Sequence, residues 1–244
     1  MKPQYIQVLI KKSLQLVWGL TGGSFWSWSH PAEYVFEVTS ERVNEYIGIP
    51  KSGIRKWCIV GGYLGFEVPG LLNNYKNVTV DVFECSKRYL PALKKKFDQN
   101  SRVAIIGNAV AAESGEMVFY ETSLTGSGSI LKLGNLHKDL FSSEPAESFT
   151  VEATTLDAYY GTETTIDVLQ IDVQGAELLV LLGATSVLSR TRAVFLEVST
   201  RRDLYTGAIT MDEVVAFLNG RGFSMQLLGN DTNGTGNALF VKMG

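Results

Sequence analysis

Short apolar runs alternate with amphipathic stretches along the chain from residue 56 onward. The runs are rich in Val, Ile and Phe and are bounded by Gly, Asn, Asp or Ser. They read KWCIVGG (56–62), VTVDVFE (78–84), VAIIGNAV (103–110), IDVLQID (166–172) and AVFLEVS (193–199). Strands that are buried on both faces, as in a parallel sheet, have this nearly continuous apolar character. The pattern therefore predicts five parallel strands.

Helical stretches separate these predicted strands. Ser86 can cap a helix over 87–97, a second helix covers 176–188, and Thr210 with Glu213 forms a capping box for a third. Strand and helix alternate in this way in α/β proteins whose sheet is doubly wound, with helices on both faces. We therefore predict that fold class.

The last two strand-like runs have no helix between them. Residues 223–229 and 237–243 are joined by NDTNGTG, so they must form a hairpin that makes the last strand antiparallel. The complete prediction is a seven-stranded sheet, mostly parallel with one antiparallel strand. A hairpin-like insertion pairs 115–122 with 148–155 around a polar loop over 122–148.

The first residues differ from the rest of the chain. We predict an N-terminal helical appendage over 1–34 and one domain over 35–244. Apolar residues recur at roughly helical spacing between Ile6 and Trp18, in a stretch too short and interrupted to span a bilayer. This helix would pack on the domain or on a second subunit of a homo-oligomer. A helix lying on a membrane surface is the alternative.

Composition narrows the classes of partner and compartment. The formal net charge of −3 supplies no basic field for backbone phosphates, so we expect no nucleic-acid partner. The two cysteines, Cys58 and Cys85, are too few for a disulfide framework. Reduced thiols indicate a cytoplasmic enzyme.

A glycine-rich turn follows the first predicted strand of the domain. Gly61, Gly62 and Gly65 allow the backbone to turn tightly and to approach a ligand closely. The next strand ends at Glu84, where a carboxylate can accept hydrogen bonds from both hydroxyls of a ribose. A tight turn followed by a solvated acid is the plainer interpretation. Taken together, the glycines and the acid favour a ligand of the adenosine type.

Two cofactors that contain adenosine, NAD and S-adenosylmethionine, are candidates for such a turn. The dinucleotide pattern G-x-G-x-x-G would need a glycine where Val60 stands, and the C-terminal hairpin does not suit the six-stranded NAD fold. A sheet with one reversed strand suits S-adenosylmethionine better. We expect Cys85 beside the ribose acid, and Asn108 and Ala109 near the adenine.

The chain resembles the FkbM family of methyltransferases over about residues 35–243. The most specific segment, TLDAYYGTETTIDVLQIDVQGAELLVLLGA, is similar to the family pattern T-L-D followed by I-D-x-x-K-I-D-x-E-G-x-E-x-x-V-L-x-G-A. Further matching segments are NAVAAESGEMVFYET, GSGSIL and LEVSTRRDLYTG. The resemblance implies a class I methyltransferase fold, S-adenosylmethionine as donor, and O-methylation of a hydroxyl, often on a sugar or natural product.

The chain also departs from the family pattern. The departures are Ile59, Gly62, Tyr63, Cys85, Gln170 and Gln174. The family has an acid at position 59 that helps to hold the amino end of the cofactor, so the resemblance implies that Glu67 or another group takes this role. It also has a lysine at position 170 and an acid at position 174.

Two carboxylates end the fourth and fifth predicted strands. Neighbouring parallel strands lie about 5 Å apart, so Asp172 and Glu197 could face one cleft. There they could remove the proton of an acceptor hydroxyl, or together hold a divalent ion such as Mg²⁺ that lowers its pKa. Glu197 could instead pair with Arg201 or Arg202.

Asp172, Glu177 and His137 also have interpretations that involve no ligand. Asp172 could be a cap for the helix that follows Gly175, and Glu177 could be favoured there by the helix dipole alone. His137 lies in the predicted 122–148 loop. It is either a surface residue or a base on a lid over the cleft.

We therefore predict an O-methyltransferase that acts on a hydroxyl of a small molecule or glycan. The catalytic residues would be Asp172, Glu197 and His137. A methyltransferase-like protein that only binds its ligand is the first alternative, and an NAD(P)-linked enzyme is the second. The N-terminal segment and the 122–148 loop should select the acceptor.

Overall fold

A mostly parallel β-sheet forms the centre of the computed structural model, which describes residues 30–230 and 234–244. The strands are β1 (His30–Pro31), β2 (Lys56–Val60), β3 (Thr79–Phe83), β4 (Val103–Ile106), β5 (Ala109–Val110), β6 (Gly115–Thr122), β7 (Pro145–Thr154), β8 (Ile166–Ile171), β9 (Thr191–Ser199), β10 (Phe223–Asn230) and β11 (Thr235–Lys242). Seven of them pair in the order β10-β11-β9-β8-β2-β3-β4, and β1 extends the β10 edge by two residues. Only β11 runs antiparallel to its neighbours in this sheet. The predicted seven-stranded sheet with its C-terminal hairpin is confirmed.

Helices cover both faces of this sheet. They are α1 (Ala32–Ile47), α2 (Val68–Asn74), α3 (Leu90–Phe97), α4 (Asn135–Phe141), α5 (Leu156–Tyr160), α6 (Glu177–Leu182), α7 (Thr185–Ser189) and α8 (Met211–Asn219). Side chains of a strand alternate between faces. Trp57 and Ile59 of β2 therefore pack with α1, α2 and α3, whereas Cys58 and Val60 pack with α5 to α8.

The predicted insertion forms a second, small sheet. Strands β6 and β7 pair antiparallel, as expected, and β5 joins β7 in parallel. The loop between β6 and β7 contains α4, which the sequence pattern did not indicate. This loop folds back toward the main sheet, since Leu133 forms an isolated β-bridge with Tyr205.

Three sequence-predicted elements differ in extent from the observed ones. The run 103–110 forms two strands in two different sheets, and Gly107 and Asn108 lie between these strands. The helix predicted over 176–188 is interrupted at Gly183, where an added Cβ would lie 2.0 Å from the backbone oxygen of Ala111. The helix predicted over 87–97 begins only at Leu90, beside a proline that favours a helix start.

The N-terminal part of the described chain packs on the main sheet. Helix α1 contacts β10 and β11, and Asn237 donates a hydrogen bond to the backbone oxygen of Ala32. The helix spans the predicted boundary between residues 34 and 35. The helix predicted between Ile6 and Trp18 lies outside the described residues. None of the described helices is long and apolar enough to cross a membrane.

Candidate active site

The carboxyl ends of four neighbouring strands meet at one edge of the sheet. Gly61 follows β2, Glu84 follows β3, Asp172 follows β8, and Glu197 lies near the end of β9. In open α/β sheets this edge is where ligands bind. Three adjacent cavities lie here, and Asp172 lines the first and the third of them.

The first cavity brings together most of the residues predicted to bind the cofactor. Its lining includes Gly61, Glu84, Cys85, Asn108, Ala109 and Asp172. Aromatic rings from Phe83, Tyr89 and Phe119 complete its walls. The combination of a carboxylate, a glycine turn and apolar rings is suited to the ribose and base of a nucleoside.

Glu84 is fixed by the backbone around it. Its Oε2 accepts a hydrogen bond from the Tyr63 N–H at 2.7 Å, and its Oε1 accepts one from the Ser86 N–H at 2.7 Å. Burial raises the pKa of Glu84 to about 7. Each carboxylate oxygen can accept more than one hydrogen bond, so both oxygens retain capacity for ribose hydroxyls.

The glycines of the turn have different roles. Gly61 has φ of +88°, and an added Cβ would lie 1.7 Å from the backbone oxygen of Asp172. Gly62 lines the third cavity, whereas Gly65 packs against Leu93 and Phe97 and lines none of the three cavities. Gly61 thus allows two strand ends to meet at the site, and Gly65 shapes the turn behind it.

The third cavity is lined by the acid that the family resemblance pointed to. Glu67, Gln170, Asp172 and Glu197 all face it. Gln170 is a buried linker, because its Oε1 accepts a hydrogen bond from Trp57 Nε1 at 3.1 Å and its Nε2 donates to Glu67 Oε1 at 3.4 Å. Burial raises the pKa of Glu67 to about 7.

Two departures from the family pattern are neighbours in the sheet. Ile59 of β2 pairs directly with Gln170 of β8. The acid and the lysine of the family pattern would therefore stand side by side, and this chain has replaced both with uncharged residues. Neither position is left as an unpaired buried charge, which would be costly.

Asp172 and Glu197 face one site, as the strand ends predicted. Gln174 lies between them, and its Nε2 donates to Asp172 Oδ1 at 2.7 Å and to Glu197 Oε2 at 2.9 Å. Burial raises the pKa of Asp172, while its hydrogen bonds with Gln174 and Glu197 lower it. Asp172 nevertheless remains accessible to solvent, because it borders two cavities.

Asp172 does not cap the helix that follows it, and Glu177 stabilises the backbone of the turn between Asp172 and that helix. Its Oε1 accepts hydrogen bonds from the backbone N–H groups of Val173 and Gly175 at 3.2 and 3.1 Å. Burial raises the pKa of Glu177 to about 7. Ala176 occupies the N-cap position of α6, and no side chain makes a capping hydrogen bond there. The carboxylate of Asp172 is thus available for a ligand.

The second cavity contains His137, together with Gln174, Glu197 and Tyr205. The interpretation of His137 as a surface residue is wrong, since only 3% of the residue is exposed. Helix α4 places its ring against Tyr205, with Nε2 3.2 Å from the tyrosine oxygen. Burial lowers the pKa of His137, which favours the neutral form of the ring.

Sequence reasoning missed two residues of this site. Tyr205 donates to Gln174 Oε1 at 2.9 Å and joins the second cavity to the carboxylates. It lies within LEVSTRRDLYTG, one of the segments that match the family, and that match is the signal that could have found it. Gln174 was noticed as a departure, but its contacts depend on Tyr205 from a distant segment.

The site offers no complete set of metal ligands. Within residues 30–230 and 234–244, no group of three or more His, Cys, Asp or Glu side chains is arranged to hold an ion. The two carboxylates that could bridge Mg²⁺ are instead bridged by the Gln174 amide. These residues therefore do not fit the Mg²⁺ ion that the sequence offered as one possible role of Asp172 and Glu197.

The fold is that of the class I methyltransferases. A family model for the FkbM methyltransferase domain matches residues 60–225. The chain therefore belongs to the FkbM methyltransferase family. Family and fold together imply S-adenosylmethionine as the methyl donor.

Several solved structures are similar to this chain. The METTL16 methyltransferase domain has a TM-score of 0.50 at 12% identity, over 86% of this chain and 66% of that one. An rRNA methylase from Streptococcus thermophilus has a TM-score of 0.44 at 12% identity, over 78% of this chain and 87% of that one. The pyocyanin biosynthetic protein PhzM has a TM-score of 0.41 at 12% identity, over 85% of this chain and 55% of that one. A comparison with curated proteins gave no match.

These likenesses carry no information about the acceptor. The chain spans 55% of the length of PhzM and 66% of the METTL16 domain, so neither comparison covers a whole relative. At such low identity, similarity establishes only the fold, and function has to be argued from the site.

Proposed function

We propose that the protein is an S-adenosylmethionine-dependent O-methyltransferase that methylates a hydroxyl of a small molecule or glycan. The observation that carries this proposal is the position of Asp172 and Glu197. Asp172 borders the first and third cavities, and Glu197 borders the second and third. A donor in the first cavity and an acceptor in the second would meet at this pair.

The donor is assigned to the first and third cavities. Its adenosine would lie in the first cavity, with the ribose at Glu84 and the adenine near Asn108 and Ala109. Its ammonium group would lie in the third cavity, where Glu67 is held by Gln170. This gives Glu67 the task that the missing acid at position 59 has in the family.

The proposed reaction is an in-line displacement. The acceptor oxygen bonds to the methyl carbon, the bond from sulfur to that carbon breaks, and S-adenosylhomocysteine leaves as a neutral thioether. The hydroxyl proton passes to the carboxylate pair of Asp172 and Glu197. Desolvation in the site raises the pKa of Asp172 above that of an ordinary aspartate, which makes this carboxylate a stronger base.

The acceptor is assigned to the second cavity. Polar groups from Gln174, Glu197, Tyr205 and Thr210 alternate there with apolar side chains such as Leu204. Polar groups that fix orientation among apolar walls are typical of small-molecule sites. Two carboxyl groups, Glu177 and Glu197, and one cation, Arg201, line this cavity. It therefore has no basic field for a phosphate backbone, which supports an uncharged polyhydroxyl acceptor.

Two measurements test this function in sequence. Thermal melting with S-adenosylmethionine, S-adenosylhomocysteine and NAD should show stabilisation by the first two only. Methyl-tritiated donor is then offered with panels of sugars, phenols and RNA, and label should enter a hydroxyl compound. Binding of the donor without transfer to any acceptor would favour the ligand-binding alternative. Stabilisation by NAD alone would refute the proposal.

A further inference from the structure

Gln174 makes three side-chain hydrogen bonds at the junction of the cavities. Its Nε2 donates to Asp172 Oδ1 at 2.7 Å and to Glu197 Oε2 at 2.9 Å, and its Oε1 accepts from the Tyr205 hydroxyl at 2.9 Å. An amide nitrogen has two hydrogens, so both are used. The side chain lines the first and second cavities.

These contacts fix the orientation of the amide. Turning it over would bring its oxygen against two carboxylates, which can donate nothing to it when they are ionised. The backbone of Gln174 has φ of +57°, a left-handed conformation that is uncommon for residues other than glycine. A non-glycine residue in this region points to a functional constraint on the side chain.

We propose that the Gln174 amide occupies the place that a bridging cation would take between Asp172 and Glu197. This inference rests on the proposed function and adds that the carboxylate pair works without a divalent ion. A Mg²⁺ ion would need the same two oxygens and a nearly ideal octahedron of oxygen ligands. Gln174 presents N–H groups to that space instead. It is thus a positioning residue that holds both carboxylates toward the acceptor.

The same residue separates the carboxylates from His137. Tyr205 has one hydroxyl hydrogen, which can be donated to Gln174 Oε1 or to the Ser127 backbone oxygen at 2.9 Å. Its oxygen can accept from His137 Nε2, 3.2 Å away. An amide passes no proton readily, so this chain of contacts transmits orientation rather than protons. Of the titratable groups in this chain of contacts, only the carboxylate pair also borders the proposed donor cavities, so we assign the base to that pair, and His137 orients Tyr205.

The test converts the amide into a carboxylate. Gln174→Glu should create a set of three carboxylates with Asp172 and Glu197, which can hold a divalent ion. Gln226→Glu is the matched control, since it makes the same chemical change at an exposed position of β10. Calorimetry and thermal melting are run with MgCl₂ and with MnCl₂ alone, on the wild-type protein and on both variants.

We expect one ion to bind to Gln174→Glu and to raise its melting temperature, with no such binding to the wild type or to Gln226→Glu. This readout does not depend on activity, so it can fail while the proposed methyl transfer holds. One ion bound by the wild type, and lost in Asp172→Asn, would overturn the inference. A folded Gln174→Glu that binds no ion would also overturn it. If Gln174→Glu is poorly folded, the metal titration of the wild-type protein alone tests the inference, and binding of one ion there would overturn it.

Discussion

At the scale of single residues, the function depends on the charge of Asp172. The side chain is accessible from two cavities, and Glu177 takes the backbone N–H groups of the turn. Asp172→Asn keeps the size of the side chain and removes its basicity. Turnover should fall by about 100-fold or more, the usual scale for a general base. The melting temperature should change little.

The control for this substitution is Asp98→Asn, an exposed aspartate at the end of α3. It should leave turnover unchanged. Steady-state rates and melting curves of the two variants are compared at one pH. Normal turnover by Asp172→Asn would remove it from the reaction, and unfolding of that variant would make it a structural residue.

A second prediction at the residue scale concerns Glu177 and the way in which the stability of the folded protein depends on pH. Its pKa is about 7 in the folded protein and 4.5 for an ordinary glutamate. A raised pKa in the folded state means that the folded protein binds the proton more tightly. Its contribution to stability is therefore full below pH 4.5 and is lost as pH rises through 7.

Glu177→Gln keeps an oxygen that can accept the N–H groups of Val173 and Gly175 and cannot ionise. The variant should lose less stability than the wild type between pH 5 and pH 8, in chemical denaturation followed by circular dichroism. Glu67 and Glu84 also have pKa values of about 7, so part of the slope should remain. Parallel curves for the two proteins would contradict this account.

At the scale of elements, close backbone contacts decide where helices end. Gly183 separates α6 from α7, and an added Cβ would lie 2.0 Å from the backbone oxygen of Ala111. Gly183→Ala should destabilise the protein by roughly 1–3 kcal/mol, the cost of overpacking a tight contact. Gly70→Ala is the control, because nothing lies within 4 Å of an added Cβ in α2.

Gly70→Ala should be neutral or stabilising by up to about 1 kcal/mol, because alanine favours helix more than glycine does. Urea unfolding of both variants measures the difference. Equal stability of the two variants would show that the contact at Gly183 can relax.

The same contacts explain which elements the sequence could predict. Strands such as β8 and β9 are buried on both faces, and their apolar runs identify them without reference to the rest of the chain. The break at Gly183 depends on Ala111, which is distant in sequence. Helix α4 lies in a polar loop that has no clear helical period, so its presence depends on packing against Tyr205.

At the scale of the whole molecule, topology brings the site together. Parallel strands end at one edge, so the proximity of Asp172 and Glu197 followed from the strand assignments alone. The Gln174 bridge did not follow, because its geometry depends on Tyr205 and on a left-handed backbone. The burial of His137 likewise depends on how the insertion folds over the sheet.

The central claim is that the strand-end site binds S-adenosylmethionine through Glu84. Isothermal titration calorimetry of the wild type and Glu84→Ala with this donor tests it most directly, with the exposed Glu147→Ala as control. We expect one bound donor per chain in the wild type and the control. Affinity should be weaker by roughly tenfold or more in Glu84→Ala, because charge-assisted hydrogen bonds to the ribose are lost. Equal affinity in all three proteins, or no binding by the wild type, would contradict the account.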